Sequence, residues 1–136
     1  MCNVRNVTGG LIAVAAMAAG MSCSGSSSSS STAPSGSCTP SSNANTFVLQ
    51  NNQVCPQALT VARGSQVTFI NNDSIVHEMN SDPHPEHTDC VEINQVGLLN
   101  TNQSRQTGNL NIARRCGFHD HQHPDIAALK GTITIQ

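Results

Sequence analysis

Beyond residue 45 no stretch of this chain repeats its apolar residues at helical spacing, and that constrains its fold more than any single motif does. What it offers instead are short alternating runs. Leu59-Thr60-Val61 and Val67-Thr68-Phe69-Ile70 alternate apolar with polar residues on either side of Arg63-Gly64-Ser65, a turn-like break. Thr132-Ile133-Thr134-Ile135 repeats the pattern after Gly131, and Phe47-Val48-Leu49 and Leu110-Asn111-Ile112 are weaker candidates. Side chains alternate between the two faces of a strand, so each run can cover a core with one face only. Short strands broken by Asn, Gly and Pro predict an all-β sandwich. Aromatic residues are limited to Phe47, Phe69 and Phe118, so the core must be aliphatic and modest. Residues 81–89, where Pro83 and Pro85 bracket His84, are expected to be a loop, because proline cannot donate to a central ladder.

The start of the chain reads as an address. Arg5 is the only charge before an apolar, alanine-rich run from Leu11 through Met21, too short to span a bilayer comfortably, so residues 1–22 are expected to be a signal peptide. Gly20-Met21-Ser22-Cys23 is similar to the lipobox of bacterial lipoproteins and makes Cys23 the candidate lipid acceptor, with Gly20 standing where a Leu-like residue is usual. Cleavage near Ala18 or Ala19, releasing a soluble protein, is the alternative. Residues 23–45 are dominated by Ser with Gly, Thr and Pro, which cannot bury enough apolar surface to offset the entropy of ordering. A flexible tether followed by one domain over 46–136 is the expected organisation. Either form leaves the protein in the cell envelope or outside the cell, touching a membrane only through a lipid on Cys23.

Charge and motifs exclude several function classes. The formal net charge is −2 and the one basic pair, Arg114-Arg115, reads as the solvated face of a strand, so no electrostatic footprint for nucleic acid exists. No Ser-His-Asp spacing, phosphate loop or paired catalytic carboxylates points to hydrolysis or phosphoryl transfer. The chemistry lies in Cys116-Gly117-Phe118-His119-Asp120-His121-Gln122-His123-Pro124. Three histidines at alternate positions beside a carboxylate suggest a transition-metal site.

Gly64-Ser65-Gln66-Val67-Thr68-Phe69-Ile70-Asn71-Asn72-Asp73-Ser74-Ile75-Val76-His77 resembles the first half of a cupredoxin, the family that includes plastocyanin. In that family a V-x-F strand ends in asparagine and a histidine follows as the first copper ligand, which implies that role for His77. Gly131 to Ile135 is similar to the closing strand. The resemblance implies a cupredoxin-like Greek-key sandwich with copper as cofactor. Two registers compete for the remaining ligands. In one, Cys116 and His119 reproduce a Cys-x-x-His spacing with no methionine after it. In the other, Phe118 to Ile126 is similar to F-x-C-x-x-H-P-x-M, with Asp120 in place of the cysteine and Ile126 in place of the methionine. Both lose the axial sulfur of a blue site.

Cysteine parity weighs on the choice. Beyond the leader Cys38, Cys55, Cys90 and Cys116 remain, an even number in an exported chain, and using Cys116 for metal would strand a thiol. Cys90 with Cys116 and Cys38 with Cys55 are the expected disulfides. Pairing Cys55 with Cys90, freeing Cys116, is the alternative. Nitrogen ligands then carry the metal: His77, His119, His121 and His84, with His87, His123, Cys116 and Asp120 as secondary candidates. Residues two apart on a strand point to one face, which joins His119 to His121. The expected function is non-enzymatic: an envelope copper protein that binds or transfers copper or passes electrons without turning over a substrate, with a redox or copper-transfer protein as its partner. The alternatives are a blue-copper electron carrier using Cys116, a copper-dependent redox enzyme, and a binding sandwich whose metal is incidental.

Overall fold

The computed structural model describes residues 36–136; the expected signal peptide, Cys23 and the start of the serine-rich stretch lie outside the described residues. Among the described residues nine strands are formed: β1 (Thr46–Gln50), β2 (Gln53–Cys55), β3 (Ala58–Val61), β4 (Thr68–Asn71), β5 (His77–Ser81), β6 (Gly97–Leu99), β7 (Ser104–Gln106), β8 (Arg114–Asp120) and β9 (Lys130–Ile135). They make two sheets, one in the order β2-β1-β4-β7 and the other β3-β9-β8-β5-β6. β1 runs parallel to β4 and β3 parallel to β9, and the other pairs are antiparallel. The all-β sandwich expected from the alternating runs is present.

Three phenylalanines join the layers. Phe47 on β1 and Phe69 on β4 come from one sheet and Phe118 on β8 from the other, with ring centroids 4.8 to 5.1 Å apart. All three are fully buried among Leu49, Met79, Leu99 and Ile133. Aromatic pairs add about 0.5–1.5 kcal/mol each beyond the area they bury, so this small trio supplies much of the specificity of an otherwise aliphatic core. Gly131 on β9 lies directly against the Phe118 ring: a Cβ there would collide with Phe118 Cζ and come within 2.8 Å of the Gln57 carbonyl oxygen.

Leu110-Asn111-Ile112 does not become a strand. Leu110 makes an isolated bridge to Ser65 and is buried, but Ile112 is 58% exposed, and β8 begins at Arg114 opposite Ile135. The Gly64 amide donates to the Leu110 carbonyl and the Leu110 amide to Ser65, which consumes that residue's ladder bonds before the next one starts. Arg114 and Arg115 open β8, and Arg114 pairs with Glu92 at 2.6 Å.

Both expected disulfides are formed, with Cα atoms 6.0 Å apart for Cys38–Cys55 and 5.8 Å apart for Cys90–Cys116. Cys116 therefore has no thiolate to offer a metal, and the register that made it a ligand does not apply. Gly36, Ser37 and Cys38, within the stretch read as tether, are bonded to the sandwich: Gln53 Nε2 donates to Gly36, Asn51 Nδ2 to Ser37, and Cys38 is joined to β2. Two disulfides in one small domain suit an oxidising, extracytoplasmic compartment.

β8 positions the rest. It pairs with β9 on one side and β5 on the other, with Met79 opposite Asp120, Asn80 opposite His119 and Ser81 opposite Phe118. Cys116, Phe118 and Asp120 alternate along the face turned to the core, which leaves Gly117 and His119, itself buried, on the opposite, outer face.

Candidate metal centre on the outer face of strand β8

Strand periodicity divides the histidines. His77, Asp120 and His123 form one group, and His84, His87, His119 and His121 form another; within each group the ligand atoms lie within 4.8 Å of one another. The sequence pooled His77 with His119, His121 and His84. The structure sets it apart from them, because His77 shares the inner face of β5 with Met79 while His119 turns outward from β8. The secondary candidates divide too: His87 joins the outer group, and Asp120 and His123 join His77.

The outer group is assembled by the loop after β5. Asp82 starts that loop, donating its amide to the Gly117 carbonyl at 3.0 Å, and Cys90 ends it, bonded to Cys116, so both ends are attached to β8. In between, the His87 amide donates to Pro83 at 2.7 Å and Asn94 Nδ2 donates to the His87 carbonyl at 2.9 Å. These bonds hold His87 at φ 53°, in the left-handed region that side-chain-bearing residues seldom occupy. The result is a compact set of rings. Centroids are 4.8 Å apart for His87 and His121, 5.0 Å for His84 and His121, 5.2 Å for His87 and His119, and 5.3 Å for His84 and His119.

Two features fit this group to a metal. His119, 1% exposed, has its Nδ1 at 2.7 Å from Asp82 Oδ1, while its Nε2 is buried without a hydrogen-bond partner. A carboxylate that accepts a hydrogen bond from one ring N–H leaves the other nitrogen with a free lone pair, which is how metal-binding histidines are commonly oriented. Burial, then the neighbouring His119, His121 and His84 rings, pushes the His87 pKa below its usual value, favouring the neutral imidazole that binds metal. His121 Nδ1 lies 3.1 Å from His87 Nε2, so those two rings share one hydrogen bond. Exposure grades from His119, buried, through the half-buried His87 and His121 to the exposed His84 at the rim. Asp82 is the residue that sequence reasoning missed. Its position directly before Pro83 and the His84/His87 segment was the only signal available.

The inner group is arranged differently. Asp120, fully buried, accepts at Oδ2 from His77 Nδ1 (2.8 Å) and His123 Nδ1 (2.9 Å), and at Oδ1 from the amides of Glu78 (3.0 Å) and Gln122 (3.1 Å). Burial alone would raise its carboxyl pKa; the bonds from the His77 ring, the Glu78 amide, the His123 ring and the Gln122 amide outweigh that and hold it down to about 2. His77 Nε2 lies 3.5 Å from Asp73 Oδ2. Asp73 is itself held below its ordinary pKa: burial raises it, and the Asn52 and Ser74 amides with the His77 ring more than compensate. With Asp120 where the resemblance would need a thiolate and Ile126 where it would need a thioether, the inner group does not fit a blue-copper ion.

No protein-family model matches the chain, and no curated protein matches it in sequence. Solved structures do match in shape. A purple cupredoxin from Nitrosopumilus maritimus is 18% identical with a TM-score of 0.55, the match covering 69% of this chain and 100% of that one. Plastocyanin from Dryopteris crassirhizoma is 21% identical with a TM-score of 0.53, covering 67% and 99%. Amicyanin from Paracoccus versutus is 13% identical with a TM-score of 0.55, covering 71% and 85%. Identities this low speak to architecture alone, and the domain has the cupredoxin fold.

Proposed function

We propose that this chain is an exported copper-binding protein that holds one Cu(II) among His84, His87, His119 and His121 and binds, hands over or cycles that copper without turning over a substrate. The supporting observation is the convergence of four imidazoles around a buried, unpartnered His119 Nε2 whose Nδ1 is held by Asp82. Among divalent first-row ions an imidazole-rich site favours copper over zinc. Bound there, copper supplies a one-electron couple, and the protein's part is to keep His119 in the right tautomer, keep His87 neutral and leave His84 at the solvent edge as the group first met by an arriving ion.

The compartment follows the same reading. Residues 1–22 direct export, the serine-rich residues ahead of Gly36 act as the tether, and Cys23 is the candidate lipid acceptor, so the domain would work in the envelope, where copper and a transfer or redox partner are met. The test is the visible and EPR spectrum of the full chain titrated with Cu(II). One equivalent should bind with nitrogen hyperfine structure and only weak colour, since an intense blue band needs a copper–sulfur bond and Cys116 is bonded to Cys90. His87→Gln should abolish tight binding. An intense blue form that vanishes in Cys116→Ser would overturn the proposal.

A further inference from the structure

We infer that the inner group is a closed, metal-free triad, and that Asp120 acts as a positioning residue for the metal site on the other side of its own strand. This rests on the outer-face reading above and adds a role for residues that reading leaves unused.

Closure follows from counting lone pairs. A carboxylate offers about four acceptor directions, and Asp120 has four donors at 2.8 to 3.1 Å: two ring N–H groups and two backbone amides. For both rings to donate at Nδ1, His77 and His123 must each carry a proton on the atom that faces the carboxylate. An ion entering between them would have to displace both ring Nδ1 protons, each hydrogen-bonded to a fully buried carboxylate, and would gain three ligands where the outer group offers four. The outer group also keeps a buried ring nitrogen, His119 Nε2, whose ring is oriented by a separate carboxylate. His77 Nε2 has no hydrogen bond either, but it lies 3.5 Å from a carboxylate oxygen of Asp73, which faces it as an acceptor.

Positioning follows from the chain path. Asp120 stands between His119 and His121, and its side chain ties the strand end in three directions: across to β5 through the Glu78 amide, forward to Gln122 and sideways to both inner rings. The backbone repeats those ties, with the His121 amide donating to the Glu78 carbonyl at 2.7 Å and the His123 amide to the Asp120 carbonyl at 3.1 Å. Fixing the inward side chain fixes the peptide planes on either side of it, and those planes aim His119 and His121 outward.

Long-range proton–nitrogen spectra of the isotope-labelled full chain, recorded without metal and with one and two equivalents of Zn(II), report the tautomer of every ring. The expected result is that His77 and His123 stay protonated at Nδ1 throughout while resonances of His84, His87, His119 and His121 shift. Movement of the His77 and His123 Nδ1 signals to metal-bound values overturns closure. Unshifted outer rings would refute the outer-site function and leave the closed triad standing, so the two failures are distinguishable. His123→Gln, a change at a side chain 37% exposed, should leave Zn(II) stoichiometry unchanged; loss of an equivalent in that variant overturns the inference. Asp120→Asn should lower Zn(II) affinity at least tenfold while the outer ring resonances broaden or split. Unchanged affinity in a folded Asp120→Asn protein overturns the positioning role.

Discussion

Asp82→Ala isolates the orientation of His119 from the supply of ligands. The Asp82 side chain is 44% exposed and touches the site through one short bond, Oδ1 to His119 Nδ1 at 2.7 Å. Removing an exposed carboxylate costs little stability, within about 0.5–1 kcal/mol. Its effect on metal should be far larger. Without an acceptor at Nδ1 the buried His119 ring, its side chain 2% exposed, can place its proton on Nε2 instead, and every molecule in that tautomer must move that proton back to Nδ1 before Nε2 can ligate. Losing such an outer partner typically lowers metal affinity about 10- to 100-fold, which is about 1.4–2.7 kcal/mol. Gly117→Ala provides an independent route to the same end, because a Cβ at 117 would collide with Asp82 Oδ2 and push the carboxylate off the ring without deleting it. The assay is competition for Cu(II) against a chelator of known affinity, beside thermal unfolding of the metal-free proteins. Affinity within twofold of the parent in both variants would refute the role given to Asp82, and a loss matched by an equal loss of stability would make it a general fold defect.

Gly131→Ala should be among the most damaging single changes in the domain, since its Cβ meets the Phe118 ring and the Gln57 backbone oxygen at once; overpacking typically costs about 1–3 kcal/mol, read as a fall in the denaturation midpoint. Removing the Cys90–Cys116 bond with serines should cost about 3 kcal/mol for a sequence separation of 26, and should weaken Cu(II) binding as well, because the loop carrying His84 and His87 loses one of its two attachments to β8. Acid should destabilise the metal-free protein in a defined window. A carboxyl whose folded pKa, about 2, lies below its ordinary 3.8 contributes stability that is complete above the higher value and disappears as the pH falls through the lower one; for Asp120 this amounts to about 2 kcal/mol. Asp73 adds to the loss with the same sign. Denaturant midpoints measured between neutral pH and pH 2 check this, and Asp120→Asn should flatten the acid side of the curve.

Much of the architecture was legible because strands in a half-buried sheet must alternate. Thr68 to Ile70 lie in β4 and Thr132 to Ile135 in β9 for that reason. Leu110-Asn111-Ile112 shows where the rule fails: three residues can alternate by accident, and nothing local reveals that Leu110 spends its backbone bonds on Ser65 and Gly64. Parity of the cysteines was more informative than spacing. It paired Cys90 with Cys116 across 26 residues, whereas the Cys-x-x-His spacing pointed to a ligand that the sulfur, already bonded, cannot be.

The histidines were harder because face parity holds only while a strand lasts. His119, His121 and His123 are all odd-numbered, so an extended strand would put the three on one side. β8 ends at Asp120, however. The chain then turns, the His123 amide reaching back to the Asp120 carbonyl, and this carries the third ring around to the carboxylate on the inner face. His119, inside the strand, and His121, immediately after it, keep their common side. What the sequence could not announce was the turn, because its cause is Asp120 itself: a side chain that accepts the Gln122 amide and the His123 ring closes the turn locally, and one that also accepts from Glu78 and His77 anchors it to the neighbouring strand. A residue read as a stand-in for a missing thiolate thus decides which histidines can share an ion, and it does so by ending the periodicity from which their grouping had been inferred.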